Sequence, residues 1–341
     1  MKPRRPPRSF SYRAGIRIAG TDITCDAPGF PSDLVFVSHA NALPPRAEAA
    51  PLGRRQFVTT EATLRLLGEA GARLRPRVLP AAFGRPFKLG RHRLEVVPSG
   101  FLPGAAALLC ETATRRVLYL GAFCPEPLIA GVEPARFRRV DAVCIDASLA
   151  DPDLHLPPRQ EVLARLRAFA LAQGRESGAV VLFASPFGAL PAVVLDLARA
   201  GIALRAHRRI SATLGRMRAL CPELPAIPRF VGKTGDGEVL LWPPDARDAA
   251  GLAALGELPS ALVSGLAGEP SALANLHVAA GFALTNLPSF AEIVAAILAT
   301  GAREVALFRG AAEPAAAILR QRGIDAYALG PPRQMPLVAG D

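Results

Sequence analysis

Val35-Phe36-Val37-Ser38-His39-Ala40-Asn41-Ala42-Leu43-Pro44-Pro45 is the stretch on which the reading of this chain turns. From Leu34 to Val37 the residues are apolar and mostly β-branched or aromatic, the composition of a short buried strand. Polar residues begin abruptly at Ser38-His39, and Pro44-Pro45 stops any continuation of regular structure. A buried strand therefore runs into a loop that begins with an imidazole. Two readings of His39 stand: a strand-end histidine bonded to backbone or to the preceding Asp26, or a metal ligand.

Working outward, Ile16-Arg17-Ile18 and Asp22–Asp26 predict two short strands joined at Gly20. Residues 1–12 are rich in Pro and Arg and read as loose. Thr60 to Gly68 predicts a helix capped by Thr59 or Thr60, with Glu61 in its first turn. Strand-like runs follow at Pro86–Lys88, Arg91–Val97, Ala105–Thr112, Arg116–Leu120 and Val140–Ile145. Beyond Pro157 the pattern becomes strand–helix–strand: a helix over Pro158–Ala172, a fully apolar strand at Ala179–Ala184, and a helix over Leu190–Ala200 closed by Gly201. A short strand at Ile202–Arg205 completes this part. Such alternation predicts a parallel sheet of βαβ units. Residues 220–260 read as irregular, with Gly232-Lys233-Thr234-Gly235 a glycine-rich turn and not a P-loop. A strand at Ala261–Ser264 precedes the last elements: helix Phe290–Thr300, strand Glu304–Phe308, helix Pro314–Arg322 and strand Ala326–Leu329.

The formal charge of +11 comes almost wholly from arginine, since Lys2, Lys88 and Lys233 are the only lysines. That balance permits a polyanionic partner such as nucleic acid. Two runs, Arg136-Phe137-Arg138-Arg139 and His207-Arg208-Arg209, read either as a nucleic-acid groove or as a solvated basic face. Five cysteines (Cys25, Cys110, Cys124, Cys144, Cys221) lie mostly in apolar runs without a C-x-x-C pair and read as reduced core residues, not as a disulfide framework or thiolate zinc site. No apolar stretch approaches the roughly 20 residues that span a bilayer, and the first ten residues lack the apolar core of a signal peptide. The expectation is a soluble, cytoplasmic protein with no membrane partner.

Seven segments now stand in a recognisable order. They are Asp22–Asp26, "VFVSHA" (Val35–Ala40), "PSGFLPGAAALL" (Pro98–Leu109), "RVLYLGAF" (Arg116–Phe123), "VDAVCIDASLADP" (Val140–Pro152), "GFALTNLPSF" (Gly281–Phe290) and "EVALFRG" (Glu304–Gly310). The order resembles the metallo-β-lactamase-fold nucleases of the β-CASP group. Within the group it is most similar to the bacterial ligase-associated DNA exonucleases and mRNA 3′-end-processing-factor-like proteins. The resemblance covers nearly the whole chain after residue 12. It implies an α/β fold: an αββα sandwich built from 1–158 and 283–330, with a βαβ-type β-CASP cap, 159–282, inserted between them. Residues 331–341 would form a tail.

In that family two zinc ions sit at one edge of the sandwich, where they bridge a hydroxide and neutralise the scissile phosphate. A His-x-His-x-Asp-His loop supplies ligands, joined by a downstream His, a bridging Asp and a late His. The first His matches His39, the second falls on Asn41, the Asp on Leu43 and the last His on Pro44. The His of the next motif falls on Phe101, the bridging Asp on Ala122, the catalytic His on Leu287 and the late His on Arg309. Three residues match: His39, Asp26, which in the family orients ligands, and Asp146, the acidic residue of the first β-CASP motif. Zinc takes imidazole, thiolate or carboxylate donors, about four at a structural ion or three plus water at a catalytic one. Leu43, Pro44, Phe101, Ala122 and Leu287 offer none. The expectation is a vestigial pocket of His39, Asn41, Phe101, Ala122, Asp146, Leu287 and Arg309 with no metal cofactor. Asp26 and Asp146, without cationic neighbours, must be paired or protonated. The Arg309 guanidinium is expected to take the place of the lost charge beside one of them.

The resemblance therefore implies a catalytically inactive homologue of a DNA or RNA exonuclease. It would bind nucleic acid or pair with an active nuclease, helicase or ligase in DNA repair or RNA processing. Two alternatives stay open. An active metal-dependent exonuclease needs three relocated donors that converge. A scaffold without nucleic-acid role would show an exposed apolar patch. In the tail, Gln334-Met335-Pro336-Leu337-Val338 resembles the peptide by which bacterial proteins enter the sliding clamp, with Gln334, Met335 and Leu337 matching and Val338 departing from an aromatic anchor. The other reading is a tail that packs on the sandwich.

Overall fold

The computed structural model describes residues 7–13, 15–27, 32–42 and 54–331, arranged as a mixed α/β protein of three β-sheets. The first sheet runs in chain order: β1 (Phe10–Tyr12), β2 (Ile16–Ile18), β3 (Ile23–Cys25), β4 (Leu34–Phe36), β5 (Gln56–Thr59) and β6 (Val78–Pro80). It is antiparallel through β3 and parallel from there on. The second contains β7 (Phe87–Leu89), β8 (His92–Pro98), β9 (Ala106–Glu111), β10 (Arg116–Gly121) and β11 (Ala142–Asp146). Beside β11 lie β17 (Glu304–Phe308) and then β18 (Asp325–Leu329), which return from the far end of the chain. The parallel register of β11 and β17 ends with Asp146 opposite Phe308. The third sheet holds β12 (Ala179–Ala184), β13 (Leu204–Ala206), β14 (Glu238–Trp242), β15 (Ser260–Val263) and β16 (Ala280–Phe282), all parallel, in the order β13-β14-β12-β15-β16.

The first two sheets pack face to face, and period-2 alternation decides which side chains meet. Phe36 and Val58 from one sheet join Leu94, Leu108, Tyr119, Cys144 and Phe308 from the other in a single cluster. On β11, Ala142 and Cys144 point between the sheets, while Val143 and Ile145 point outward to the helices Phe290–Thr300 and Ala312–Gln321. Burying each large apolar side chain in such a layer contributes roughly 1.5–3 kcal/mol. The other face of the first sheet, with Val35, Val37 and Phe57, is covered by the helix Glu61–Leu66. Thr60 starts that helix by accepting the Thr63 N–H at 3.1 Å. β4 and β17 thus share one core although some 270 residues of chain separate them.

The third sheet shows the parallel βαβ connectivity expected beyond Pro157. Several expectations along the chain are corrected. Residues 10–12, read as loose, form β1, because the Phe10 side chain anchors in the inter-sheet core. Residues 220–260 contain β14, a fully buried strand between β13 and β12. Its five residues, Glu-Val-Leu-Leu-Trp, lie between Gly237 and Pro243, so punctuation masked a short strand. The helix Arg208–Arg218 follows β13; its buried Ile210, Leu214 and Met217 are hidden in the sequence among arginines. The helix begun near Pro158 covers Arg159–Ser177. All five cysteines are free and buried.

Candidate functional site: a salt-bridged strand edge against an apolar seam

At the carboxyl ends of β3, β4, β11 and β17 the chain gathers Asp26, His39, Asp146 and Arg309. Asp26 follows β3 directly. A regular strand would aim it away from the face Cys25 occupies; instead it takes a left-handed φ of +56°. Three hydrogen bonds offset that strain. Asp26 Oδ1 accepts the Ser38 N–H at 2.8 Å, and Oδ2 accepts the Ser38 and Tyr119 hydroxyls, both at 2.7 Å. The Ser38 Oγ also lies 2.7 Å from His39 Nδ1. Since the serine proton is donated to the carboxylate, Oγ must accept here, which makes His39 the Nδ1–H tautomer. Burial pushes the His39 imidazole down from 6.5; Asp26 opposes this and Arg309 adds to it, so the ring is neutral at pH 7. Burial, and then the Asp26 charge, raises the Tyr119 phenol, which keeps it a donor.

The second carboxylate is held from the opposite side. Asp146 Oδ1 accepts the Ser148 N–H at 2.9 Å and the Ser148 hydroxyl at 2.5 Å; Oδ2 accepts Arg309 Nη1 at 2.9 Å. The expected guanidinium–carboxylate pair is therefore made with Asp146. Asp146 is 2% exposed at its side chain and Arg309 49%, so the pair joins a buried anion to a half-solvated cation. Burial lowers the Arg309 guanidinium's affinity for its proton, and Asp146, Tyr119 and Asp26 together outweigh that effect. Arg309 is left-handed as well, at φ +66°. Gly310, at φ +44°, lets the loop lie against Ser148, where a Cβ would meet the Ser148 Cα at 2.5 Å. A close backbone approach after β17 is what brings Arg309 to Asp146.

Phe101, Ala122 and Leu287 take no part in this polar cluster. Phe101 is 6% and Ala122 4% exposed, and both belong to the apolar cluster that holds Val35 and Val37. Leu287, partly buried, packs against the same cluster. The cluster continues without a break into the third-sheet unit through Leu163, Leu190 and Val193. Asn286 Nδ2 donates to the Phe101 carbonyl at 2.5 Å, and the His39 ring meets Phe101 edge-on at 4.9 Å. Gly100 permits this fold-back; a Cβ there would stand 2.1 Å from the Cys124 carbonyl. Asn41 lies apart, exposed at the mouth of a cleft of about 530 Å³ between the first sheet's helix and the third sheet. Arg216 crosses this cleft to donate from Nε to the Leu66 carbonyl at 3.0 Å.

The structure thus brings together Asp26, His39, Asp146 and Arg309, and beside them an apolar group of Phe101, Ala122 and Leu287 that touches His39 through the Phe101 ring. Leu43, Pro44, Gln334, Met335, Leu337 and Val338 lie outside the described residues. Sequence reasoning missed Tyr119, Ser38 and Asn286. The available signal for Tyr119 was a hydroxyl inside an apolar strand, which needs a buried partner. A dinuclear metal centre of the kind the resemblance implies does not fit here. All four oxygens of Asp26 and Asp146 already accept hydrogen bonds, and a guanidinium stands beside Asp146. Among the described residues no three His, Cys, Asp or Glu side chains come together as a metal site. Nor is Asp26–Ser38–His39 a nucleophilic triad. The serine sits in the middle, is buried, and gives its proton to the carboxylate, so no activated hydroxyl results.

Fold and site together define a mixed α/β protein of three sheets whose strand-end polar cluster sets one arginine against two carboxylates. No family model matches the chain. It is 24% identical over 243 residues to a probable DNA ligase of Opitutus terrae, an alignment that covers 70% of this chain. The aligned part is 24% of the relative, so the chain spans about a quarter of the length of the curated protein it matches. Among the described residues no helix is long and apolar enough to cross a membrane.

Proposed function

We propose that the chain is a non-catalytic relative of the metallo-β-lactamase-fold β-CASP nucleases, on the ligase-associated exonuclease side of that group, and that it serves DNA processing as a DNA-binding or partner subunit. On this reading the first two sheets are the sandwich, the third sheet is the cap, and the divisions are 1–158, 159–282 and 283–330. The observation that carries the reading is the Arg309–Asp146 pair next to an apolar seam built from Phe101, Ala122 and Leu287; on this reading the pair occupies the place where the family keeps its ions. An arginine there supplies positive charge without an exchangeable coordination position, so no hydroxide can be generated on it. Similarity to a protein named as a DNA ligase supports a DNA-processing context.

The test uses purified full-length chain. Elemental analysis after growth in zinc- and manganese-supplemented medium is expected to find far less than one metal ion per chain. Incubation with labelled single- and double-stranded DNA and RNA in Mn²⁺ or Zn²⁺ is expected to give no product above buffer. Stoichiometric metal together with end-directed cleavage would overturn the reading in favour of an active exonuclease.

A further inference from the structure

The two arginine-rich runs have different fates in the fold. In the first, Arg136 pairs with Glu133 at 3.1 Å and Arg138 with Glu95 at 2.7 Å, so two of its three charges are locally cancelled. The second opens the helix Arg208–Arg218 at the edge of the third sheet. There Arg209 forms a two-pronged pair with Asp245, at 2.6 and 2.7 Å. Arg208 and Arg229 are exposed and form no ion pair among the described residues. The chain brings Arg229 alongside through backbone pairing: Ala206 donates to the Pro228 carbonyl at 3.0 Å and Phe230 to the Ala206 carbonyl at 2.8 Å. Three guanidinium groups against one carboxylate leave two positive charges in excess.

The base of this patch is rigid. The His207 and Phe230 rings both meet Trp242 edge-on, at 4.8 and 5.6 Å, and Trp242 belongs to the buried strand β14. Side chains mounted on such a base keep their spacing, and that lowers the ordering cost of binding. Burial, followed by Arg209 and Arg208, pushes the His207 imidazole down from 6.5, the response of a ring inside a net positive field. By contrast, the strand-end cluster holds two carboxylates, one guanidinium and a neutral imidazole, so it does not attract an anion.

We propose that the edge of the third sheet formed by Arg208, Arg209 and Arg229 is a contact surface for the phosphodiester backbone of DNA, apart from the Asp26–Asp146 strand edge. The inference rests on the DNA-binding reading above and assigns it a surface. Guanidinium groups take phosphate oxygens through paired N–H donors, and such contacts are indifferent to sequence. They also release counterions, so the salt dependence of binding counts them.

Labelled DNA oligonucleotides, one duplex and one single strand, would be titrated with full-length protein from about 50 to 200 mM salt. The variant Arg208→Ala/Arg229→Ala is expected to keep the wild-type thermal midpoint, because both residues are exposed. It should bind every duplex sequence more weakly and show a log K against log [salt] slope shallower by about 2, near 0.9 for each lost phosphate contact. Arg208→Lys/Arg229→Lys should restore the slope, and Arg136→Ala should match wild type. Wild-type affinity and slope in the double alanine variant would overturn this surface and leave the DNA-binding reading standing. Absence of binding by the wild-type chain at the lowest salt would overturn both.

Discussion

Asp146 and Arg309 form the contact on which the strand edge depends at the scale of single residues. Asp146 is almost wholly buried, and its Oδ2 has Arg309 as its charged donor. Arg309→Met should cost about 1.5–3 kcal/mol, the range for a hydrogen bond to a charged group. Arg309→Lys should recover part of that loss, because a lysine keeps the charge without the planar fork. Urea unfolding of the three proteins measures both; equal stability of Arg309→Met and wild type would deny the pair its role. His39 carries a second prediction. Its folded pKa lies below 6.5, so the unfolded chain takes up the proton first. The neutral buried ring therefore contributes its full stability above pH 6.5. That contribution is lost as the pH falls from 6.5 through the depressed folded value. Thermal midpoints measured from pH 7.5 down to pH 5 should fall in the wild type by more than in His39→Gln; parallel curves would exclude His39 as the cause.

Among the elements, β1 is the piece most dependent on a single partner. Glu304, at the start of β17, accepts the Ser9 N–H at 2.7 Å, the Ser9 hydroxyl at 2.9 Å and the Tyr327 hydroxyl at 2.9 Å, and it pairs with Arg115. Arg8 adds a pair to Asp325 at 2.7 Å and lies 4.0 Å over the Tyr327 ring. Glu304→Ala should cost about 1.5–3 kcal/mol, the range for hydrogen bonds to a charged group, because the Arg115 left behind is part-exposed. Hydrogen exchange should accelerate across residues 9–12 before it does in β11; protection of β1 unchanged in the variant would refute the latch. This element also shows where sequence reading stops. The strands β4, β9, β10, β11 and β17 were legible because their apolar runs are long or clearly bounded. β1 was not, since Phe10 sits among prolines and arginines and its stability comes from the inter-sheet core it enters and from the Ser9–Glu304 bonds, made nearly 300 residues away. β14 was hidden for the opposite reason: its apolar run is only five residues long and is framed by glycine and proline. At the site, the resemblance set Arg309 beside Asp26 and Asp146, and the need of a buried carboxylate for a partner led to the pair, which the structure makes with Asp146. The left-handed turns at Asp26 and Arg309, and the role of Asn286, depend on loop geometry that no spacing in the chain announces.

Across the whole molecule, the decisive feature is that the first sheet and the third share one apolar cluster. Val35, Val37, Phe101 and Ala122 on one side and Leu163, Leu190 and Val193 on the other belong to a single apolar cluster that spans the two units. Polar ties reinforce the seam. Arg216 reaches the Leu66 carbonyl, and Arg159 donates to the Glu126 carbonyl at 2.9 Å and to Glu292 Oε1 at 3.3 Å. Glu292 is itself fixed by the capping box with Ser289. Two units joined by an interface of this kind should unfold as one, because separating them exposes core and not surface. Calorimetry of the full chain should therefore give a single transition with equal calorimetric and van't Hoff enthalpies. Phe101 is the place to break the coupling: it is 6% exposed, at the middle of the seam, and its backbone carbonyl holds Asn286. Phe101→Ala should cost about 3–5 kcal/mol through lost burial and the cavity left behind. If the seam is what couples the units, the loss should appear as a splitting or broadening of the transition, with the third-sheet unit exchanging amide hydrogens independently of β4. A comparable loss placed inside one unit, Leu108→Ala in the inter-sheet core, should lower the midpoint and leave the transition single. Two transitions in the wild-type chain, or the same single transition in both variants, would show that the seam does not couple the two units.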